Sequence, residues 1–144
     1  MARIRSLAVV PALVLAACGT STPTTTPSSP SPTPSHSVAV EEKDYSITPA
    51  TATAAAGAVT FTVTNLGPGI HEFVVIKTDL APEALPVKDD LVEENKIDSP
   101  GEIEDIEPGK PLSKTITVVP GNYVLICNLV THYGLGMRAA LKVV

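Results

Sequence analysis

The sequence has little of what large aromatic cores, disulfide networks and nucleic-acid interfaces need. It contains no tryptophan, and aromatic residues make up only 3% of its 144 residues. Two cysteines, Cys18 and Cys127, permit at most one disulfide. Acidic residues outnumber basic residues by 15 to 10, which argues against nucleic-acid binding. No convincing amphipathic helical period is present, so a helical bundle is not expected.

The first residues have the pattern of a secretory signal. Arg3 and Arg5 precede a short apolar run that begins at Leu7, and small residues precede Cys18. The ending LAAC resembles a bacterial lipobox, which implies cleavage after residue 17 and lipidation of Cys18. The alternative is an ordinary cleaved signal that leaves Cys18 as a stray thiol. We therefore expect a signal peptide at 1–17 and an extracytoplasmic, lipid-anchored protein at the cell membrane.

A linker follows the predicted anchor. After Cys18, residues 19–37 are almost entirely Ser, Thr and Pro, a composition that favours an extended spacer over a packed core. Its glycosylation stays open. Without residues 1–17 the chain has eight basic and fifteen acidic residues, which argues against an electrostatic membrane patch. Lipidation of Cys18 would also leave Cys127 without an intramolecular disulfide partner.

Residues 38–144 form the predicted folded domain. Short segments rich in β-branched residues alternate with Gly and Pro turns, as in AVTFTVTNLG, where Val59, Phe61 and Val63 share one face. The other predicted strands lie in VAVEEKDYSITPATATAAAG, HEFVVIKT, KPLSKTITVV, GNYVLICNL and MRAALKVV. This pattern predicts an all-β class, an antiparallel sandwich or barrel.

Residues 79–110 differ from the rest of the domain. They hold eleven of the fifteen acidic residues and three lysines. We expect a solvated surface insertion, in which residues 89–95 are a candidate for a short helix. The functional alternative is an acidic docking face for a basic partner.

Four side chains of the domain point to a metal site. Cys127, His132 and Met137 fall within eleven residues of one another, and His71 starts a strand after a Gly/Pro turn. A thiolate, two imidazoles and a thioether are the ligand types of a blue-copper site. Each residue alone is more often structural than a ligand. A zinc site is less favoured, because methionine is a poor zinc ligand.

At these residues the domain resembles the cupredoxins, the small blue-copper electron carriers. The C-N-x3-H-x4-M spacing of the final loop is similar to that of rusticyanin-like and sulfocyanin-like members, and NLGPGIHEFVV resembles the upstream ligand block. The resemblance implies a Greek-key β-sandwich with one type 1 copper ion. It implies His71, Cys127 and His132 as equatorial ligands and Met137 as the axial ligand.

Two departures from the family pattern stand out. Many cupredoxins follow the first histidine with an asparagine that braces the ligand loop, whereas Glu72 follows here. Related lipoprotein domains often place Pro-Gly before the second histidine, whereas this sequence has Val130 and Thr131. A dinuclear copper site, which needs a second loop cysteine, is excluded.

The resemblance implies a monomeric electron carrier without enzymatic activity, which exchanges single electrons with membrane-associated redox proteins through the edge of His132. Leu129, Val130, Tyr133, Leu135 and Gly136 are expected to form its apolar docking rim. Backbone amides near Asn65 or Asn128 are expected to donate to the Cys127 sulfur. Two other functions stay open: a copper carrier that supplies an oxidase, and an accessory domain that keeps the fold without copper.

Overall fold

Alternation along each strand decides which side chains enter the core. The computed structural model describes residues 33–144, so the predicted signal peptide, Cys18 and most of the linker lie outside the described residues. In the strand Gly57–Asn65, Val59, Phe61 and Val63 are buried while the intervening threonines remain partly exposed. The period-2 pattern therefore places one face of this strand in the core, as predicted.

The described residues contain eleven strands and two short helical turns. The strands are β1 Ser37–Lys43, β2 Ser46–Pro49, β3 Thr53–Ala54, β4 Gly57–Asn65, β5 His71–Lys77, β6 Val87–Lys88, β7 Leu91–Val92, β8 Asp98–Ile106, β9 Pro111–Val118, β10 Gly121–Ile126 and β11 Arg138–Val143. A 3₁₀ turn spans Glu94–Lys96, and the one-turn helix α1 spans His132–Leu135. Within this part of the chain, no helix is long and apolar enough to cross a membrane.

Two sheets enclose the main core within residues 33–144. One has the strand order β2-β1-β4-β9 and the other the order β3-β11-β10-β5-β8. Buried side chains from both sheets form one cluster, in which the rings of Phe61 and Phe73 lie 5.4 Å apart. The predicted all-β sandwich is confirmed.

The strand pairing is mixed rather than purely antiparallel. Strand β1 runs parallel to β4, with Val40 opposite Val63, and β11 runs parallel to β3. The other pairs in these two sheets are antiparallel. Half-buried strands alternate between buried and exposed residues whether they pair in parallel or antiparallel. The sequence pattern therefore could not predict the strand direction.

The acidic segment is not simply a solvated insertion, and that expectation was wrong in part. Its second half forms β8, an edge strand that pairs with β5. Its first half forms the β6–β7 hairpin and packs Leu85 and Val92 against the outer face of the larger sheet, over Val74 and Ile76. Instead of a helix at 89–95, the structure has the 3₁₀ turn Glu94–Lys96. We call residues 82–94 the cover segment.

Candidate metal centre

Two neighbouring strands hold the two ends of the predicted ligand loop. Cys127 directly follows β10 and Met137 directly precedes β11. The Cys127 amide donates to the Met137 carbonyl at 3.1 Å, which extends the pairing of the two strands by one step. Both side chains are fully buried. Residues 128–136, the ligand loop, therefore start and end at fixed, adjacent points.

A single helical turn brings His132 back over this end of the sheet. Thr131 precedes α1 in the left-handed region, with φ 70°, and Gly136 ends it with φ 120°. A backbone at φ 120° strongly favours glycine, because a Cβ would be strained there. The Met137 amide then donates to the His132 carbonyl at 3.0 Å, which closes the loop.

Asn65 shapes the turn that presents His71. Its side-chain amide donates to the carbonyls of Gly69 and Ile106, both at 2.7 Å, and its Oδ1 accepts from the Gly67 amide at 2.8 Å. The turn between β4 and β5 is thus tied to itself and to β8. His71 follows it as the first residue of β5 and is fully buried.

The structure brings three of the four predicted ligand side chains together. Potential ligand atoms of His71, Cys127 and His132 all lie within 4.8 Å of one another. The Cys127 sulfur lies 4.0 Å from His71 Nδ1, and the two imidazole rings are 5.4 Å apart. Met137, the fourth predicted ligand, is also fully buried, and its main chain pairs with that of Cys127. The assignment of these four residues as ligands remains a prediction.

The sulfur of Cys127 lies in an apolar setting with backbone donors. The Glu72 amide donates to Sγ at 3.4 Å. Burial raises the pKa of the Cys127 thiol to about 11, although the backbone N–H groups of Leu129 and Glu72 act in the opposite direction. The Glu72 amide is therefore a donor to the sulfur that was not predicted, and a donor near Asn65 or Asn128 remains a prediction. The Leu129 amide does adjoin Asn128.

The side chain of Asn128 points to the cover segment. Its Oδ1 accepts from the Val92 amide at 2.7 Å, and its Nδ2 donates to the Val92 carbonyl at 3.1 Å and to Glu94 Oε1 at 2.6 Å. The Thr131 amide donates to the Asp90 carbonyl at 3.3 Å. The cover segment thus braces the ligand loop, although Glu72 stands where many cupredoxins have a bracing asparagine.

Burial favours the uncharged form of His71. Burial lowers the pKa of His71, the nearby Asp44 carboxylate raises it, and His132 lowers it further. Its Nε2 lies 3.0 Å from Asp44 Oδ1. The contact lies out of line with the ring N–H, since Nε2 has no well-formed hydrogen bond among the described residues. The contact between His71 Nε2 and Asp44 Oδ1 is therefore a close approach and not a hydrogen bond.

The predicted docking rim needs one correction. Val130 and Leu135 are more than half exposed, at 58% and 56%, and Leu129 and Gly136 are partly buried. Tyr133 is buried instead, because its hydroxyl donates to the Pro82 carbonyl at 2.7 Å and accepts from the Leu85 amide at 3.0 Å. Tyr133 anchors the ligand loop to the cover segment and does not belong to the rim.

Three exposed apolar side chains of nearby loops were missed by the sequence reasoning. The Tyr45 ring packs edge-on against His132, with centroids 5.3 Å apart. Leu66 and Ile70, both about half exposed, flank the turn that leads to His71. Their distance from the C-terminal ligand block in sequence gave no signal of this proximity.

A cluster of acidic side chains includes Glu72, the residue that follows His71. Glu72, Glu94 and Glu102 have carboxylate oxygens within 4.8 Å of one another. Burial raises the pKa of Glu72 to about 7, and the charges of neighbouring carboxylates add to the shift. A groove of about 210 Å³ beside them is lined by Ile70, His71, Glu72, Glu104, Asp105 and Leu129.

Comparisons with known proteins agree on the fold. No protein-family model matches the sequence, and no curated protein is significantly similar to it. Among solved structures, an auracyanin from Roseiflexus castenholzii is similar with a TM-score of 0.59 and 20% identity, covering 78% of this chain and 99% of its own. An azurin from Methylomonas sp. strain J has a TM-score of 0.51 and 18% identity, covering 75% and 97%.

A third similar structure is auracyanin A from Chloroflexus aurantiacus, described as a "blue" copper protein. Its TM-score is 0.50 and its identity 19%, with 75% of this chain and 99% of its own covered. These similarities show that the chain has a cupredoxin fold.

Proposed function

We propose that this chain binds one copper ion through His71, Cys127, His132 and Met137 and carries single electrons without catalysing a reaction of its own. The observation that carries the proposal is the convergence of a buried thiol and two imidazoles at one end of the sandwich. Similar folds in proteins described as auracyanin, azurin and "blue" copper protein support it.

The donor set fits a copper ion in kind, and the distance between two of its ligand atoms agrees with metal binding. Thiolate and imidazole with a thioether are the ligands of blue-copper sites. Metal–sulfur and metal–nitrogen bonds of about 2.3 and 2.0 Å allow two ligand atoms to lie up to roughly 4.3 Å apart. The 4.0 Å between Cys127 Sγ and His71 Nδ1 falls within that span.

The protein's own residues would keep the site rigid and dry. Cys127 and Met137 are fixed by paired strands, and His71 is held by the turn that Asn65 organises. Burial of all three side chains excludes water, while the Glu72 amide donates to the sulfur. A bound copper ion would supply the one-electron couple, and a rigid site limits the rearrangement that accompanies it.

Partner contact would occur where His132 is accessible. Tyr45, Leu66, Ile70, Val130 and Leu135 are exposed apolar residues of the loops around His71 and His132, and we call them the apolar rim. Small, weak apolar contacts suit short-lived encounters between redox proteins. The predicted lipid on Cys18 and the linker would keep such encounters at the membrane, with the domain acting as a monomer.

A pair of cysteine variants tests the copper site. Wild type, Cys127→Ser and Cys18→Ser are purified, titrated with Cu(II) and followed by visible absorption. We expect an intense thiolate-to-copper band at one equivalent in wild type and Cys18→Ser, and its loss in Cys127→Ser. Reversible one-electron voltammetry of the coloured form would establish electron transfer. A colourless protein that binds only Cu(I) would contradict the proposal and favour copper delivery.

A further inference from the structure

The Nε2 ring nitrogen of His71 lies beside a carboxylate. Nε2 is buried and lies 3.0 Å from Asp44 Oδ1, in the turn between β1 and β2. The ring's other nitrogen, Nδ1, faces the Cys127 sulfur. Buried ring nitrogens that carry a proton are normally paired, yet Nε2 has no well-formed hydrogen bond within residues 33–144.

The main chain of Gly67 packs directly against His71 and Asp44. A Cβ at residue 67 would lie 2.9 Å from His71 Nε2 and 3.0 Å from Asp44 Oδ1, so only a glycine fits there without displacing them. The Gly67 amide is itself held by Asn65 Oδ1 at 2.8 Å. The main chain of the turn therefore covers the pair, while the Asp44 side chain is 33% exposed.

We propose that Asp44 is a positioning residue that accepts a hydrogen bond from the Nε2–H group of His71 and thereby presents the Nδ1 lone pair to the metal. This inference rests on the proposed function, because it assigns a role toward the copper ligand His71. A carboxylate on the remote nitrogen fixes both the tautomer and the orientation of a ligating imidazole. The proposal requires the Asp44 oxygen to align with the ring N–H when the site is occupied, as in other sites whose hydrogen bonds tighten on binding.

The test compares alanine and asparagine at residue 44 with a distant control. Asp98→Ala removes the same charge at the far end of β5, roughly 20 Å from His71 at about 3.3 Å per residue. Asp98 is exposed and pairs with Lys77 there. The full chain is used throughout, with imidazole ¹⁵N shifts of the metal-free protein and competition titration of Cu(II) as the two readouts.

We expect the wild type and Asp98→Ala to hold His71 as the Nε2–H tautomer. Asp44→Ala should give a mixture of tautomers and weaken Cu(II) binding by about tenfold to a hundredfold. Asp44→Asn retains an acceptor oxygen, so it should restore part of both losses. If Asp44 only stabilised the fold, the tautomer of His71 would not depend on whether residue 44 carries an acceptor oxygen.

The proposal is overturned if Asp44→Ala matches Asp98→Ala within twofold in copper affinity, whether or not the tautomer changes. It is also overturned if the tautomer of His71 is unchanged in Asp44→Ala. Failure of wild type to bind copper would instead overturn the proposed function, and the nitrogen shifts of the metal-free protein would still show whether Asp44 fixes the ring.

Discussion

The backbone amide of Glu72 donates to the sulfur of Cys127 at 3.4 Å, across 55 positions of sequence. This bond joins the second residue of β5 to the residue that follows β10, and it brings a backbone donor to a buried sulfur. A thiolate accepts such a bond more strongly than a thiol does. The contact therefore favours the charged form that a metal ion requires, although it does not outweigh burial in the metal-free protein.

Copper binding should release a proton from Cys127. The pKa of this thiol is raised to about 11 by burial, so the metal-free protein carries S–H at neutral pH. Ligation needs the thiolate, so about one proton should leave per copper bound at pH 7. Calorimetric titration in buffers of different ionisation enthalpy measures this number. Cys127→Ser serves as the control, and proton release below half per copper in wild type would contradict the expectation.

Stability should fall as the pH rises, because of Glu42. Its side chain lies in the inward row of β1 with Val38 and Val40, is fully buried, and finds no hydrogen-bond donor among residues 33–144. Burial, followed by the charge of Glu72, raises the pKa of Glu42 from 4.5 to about 8. Between these values the folded protein binds the extra proton, so each pH unit upward costs up to about 1.4 kcal/mol.

Glu42→Gln should remove the part of this dependence that Glu42 causes, whereas Glu72, with its pKa raised to about 7, should still lower stability as the pH rises. Urea unfolding of the metal-free protein at pH 5 to 8 should show a flatter profile and, at pH 8, a gain on the order of a few kcal/mol over wild type. Glu41→Gln is the matched control, since Glu41 is exposed on the other face of the same strand. Parallel profiles for wild type and Glu42→Gln would show that the buried group does not cause the fall.

Tyr133→Phe should destabilise the protein although it removes a single oxygen. The hydroxyl accepts from the Leu85 amide and donates to the Pro82 carbonyl, and its loss leaves a buried N–H unsatisfied. The expected cost is about 1–3 kcal/mol by urea unfolding. Tyr45→Phe, at a side chain that is 45% exposed, should change stability by less than about 0.5 kcal/mol. Equal effects of the two variants would contradict the anchoring role of Tyr133.

Charge placed on the apolar rim should slow electron exchange between copies of the copper-loaded protein. Leu135→Glu and Val130→Glu put like charges face to face in the encounter, so self-exchange measured by NMR line broadening should fall by about tenfold, or about 1.4 kcal/mol. Val119→Glu adds the same charge at a half-exposed residue of the β9–β10 turn, away from the ligand loop. A comparable loss in Val119→Glu would indicate a general charge effect.

Sequence patterns predicted the strands with regular alternation and the residues of the ligand loop. Val59, Phe61 and Val63 repeat at period 2, and the sulfur and imidazole residues are so few that their grouping was visible. Strand β8 escaped notice because only Ile103 and Ile106 of it are buried and a register shift breaks its pairing with β5. An edge strand with bulges and many charges gives no alternation to find.

Long-range contacts were beyond the reach of these patterns. Asp44 and Tyr45 lie in a tight turn whose sequence matches no known binding motif. The parallel pairing of β1 with β4 brings that turn to His71 and His132. Tyr133 was assigned to the surface because the turn α1 could not be oriented from sequence. Glu42 did carry a signal, since it continues the apolar row of Val38 and Val40.

The ties between the ligand loop and the cover segment bear on loop grafting. Asn128, Thr131 and Tyr133 each bond to main-chain atoms of residues 82–92, so the loop's shape is encoded partly outside its own nine residues. A loop transplanted alone into another β-sandwich would lose these supports and relax. The transferable unit is the loop together with residues 82–94, a module of two segments that are distant in sequence and adjacent in space.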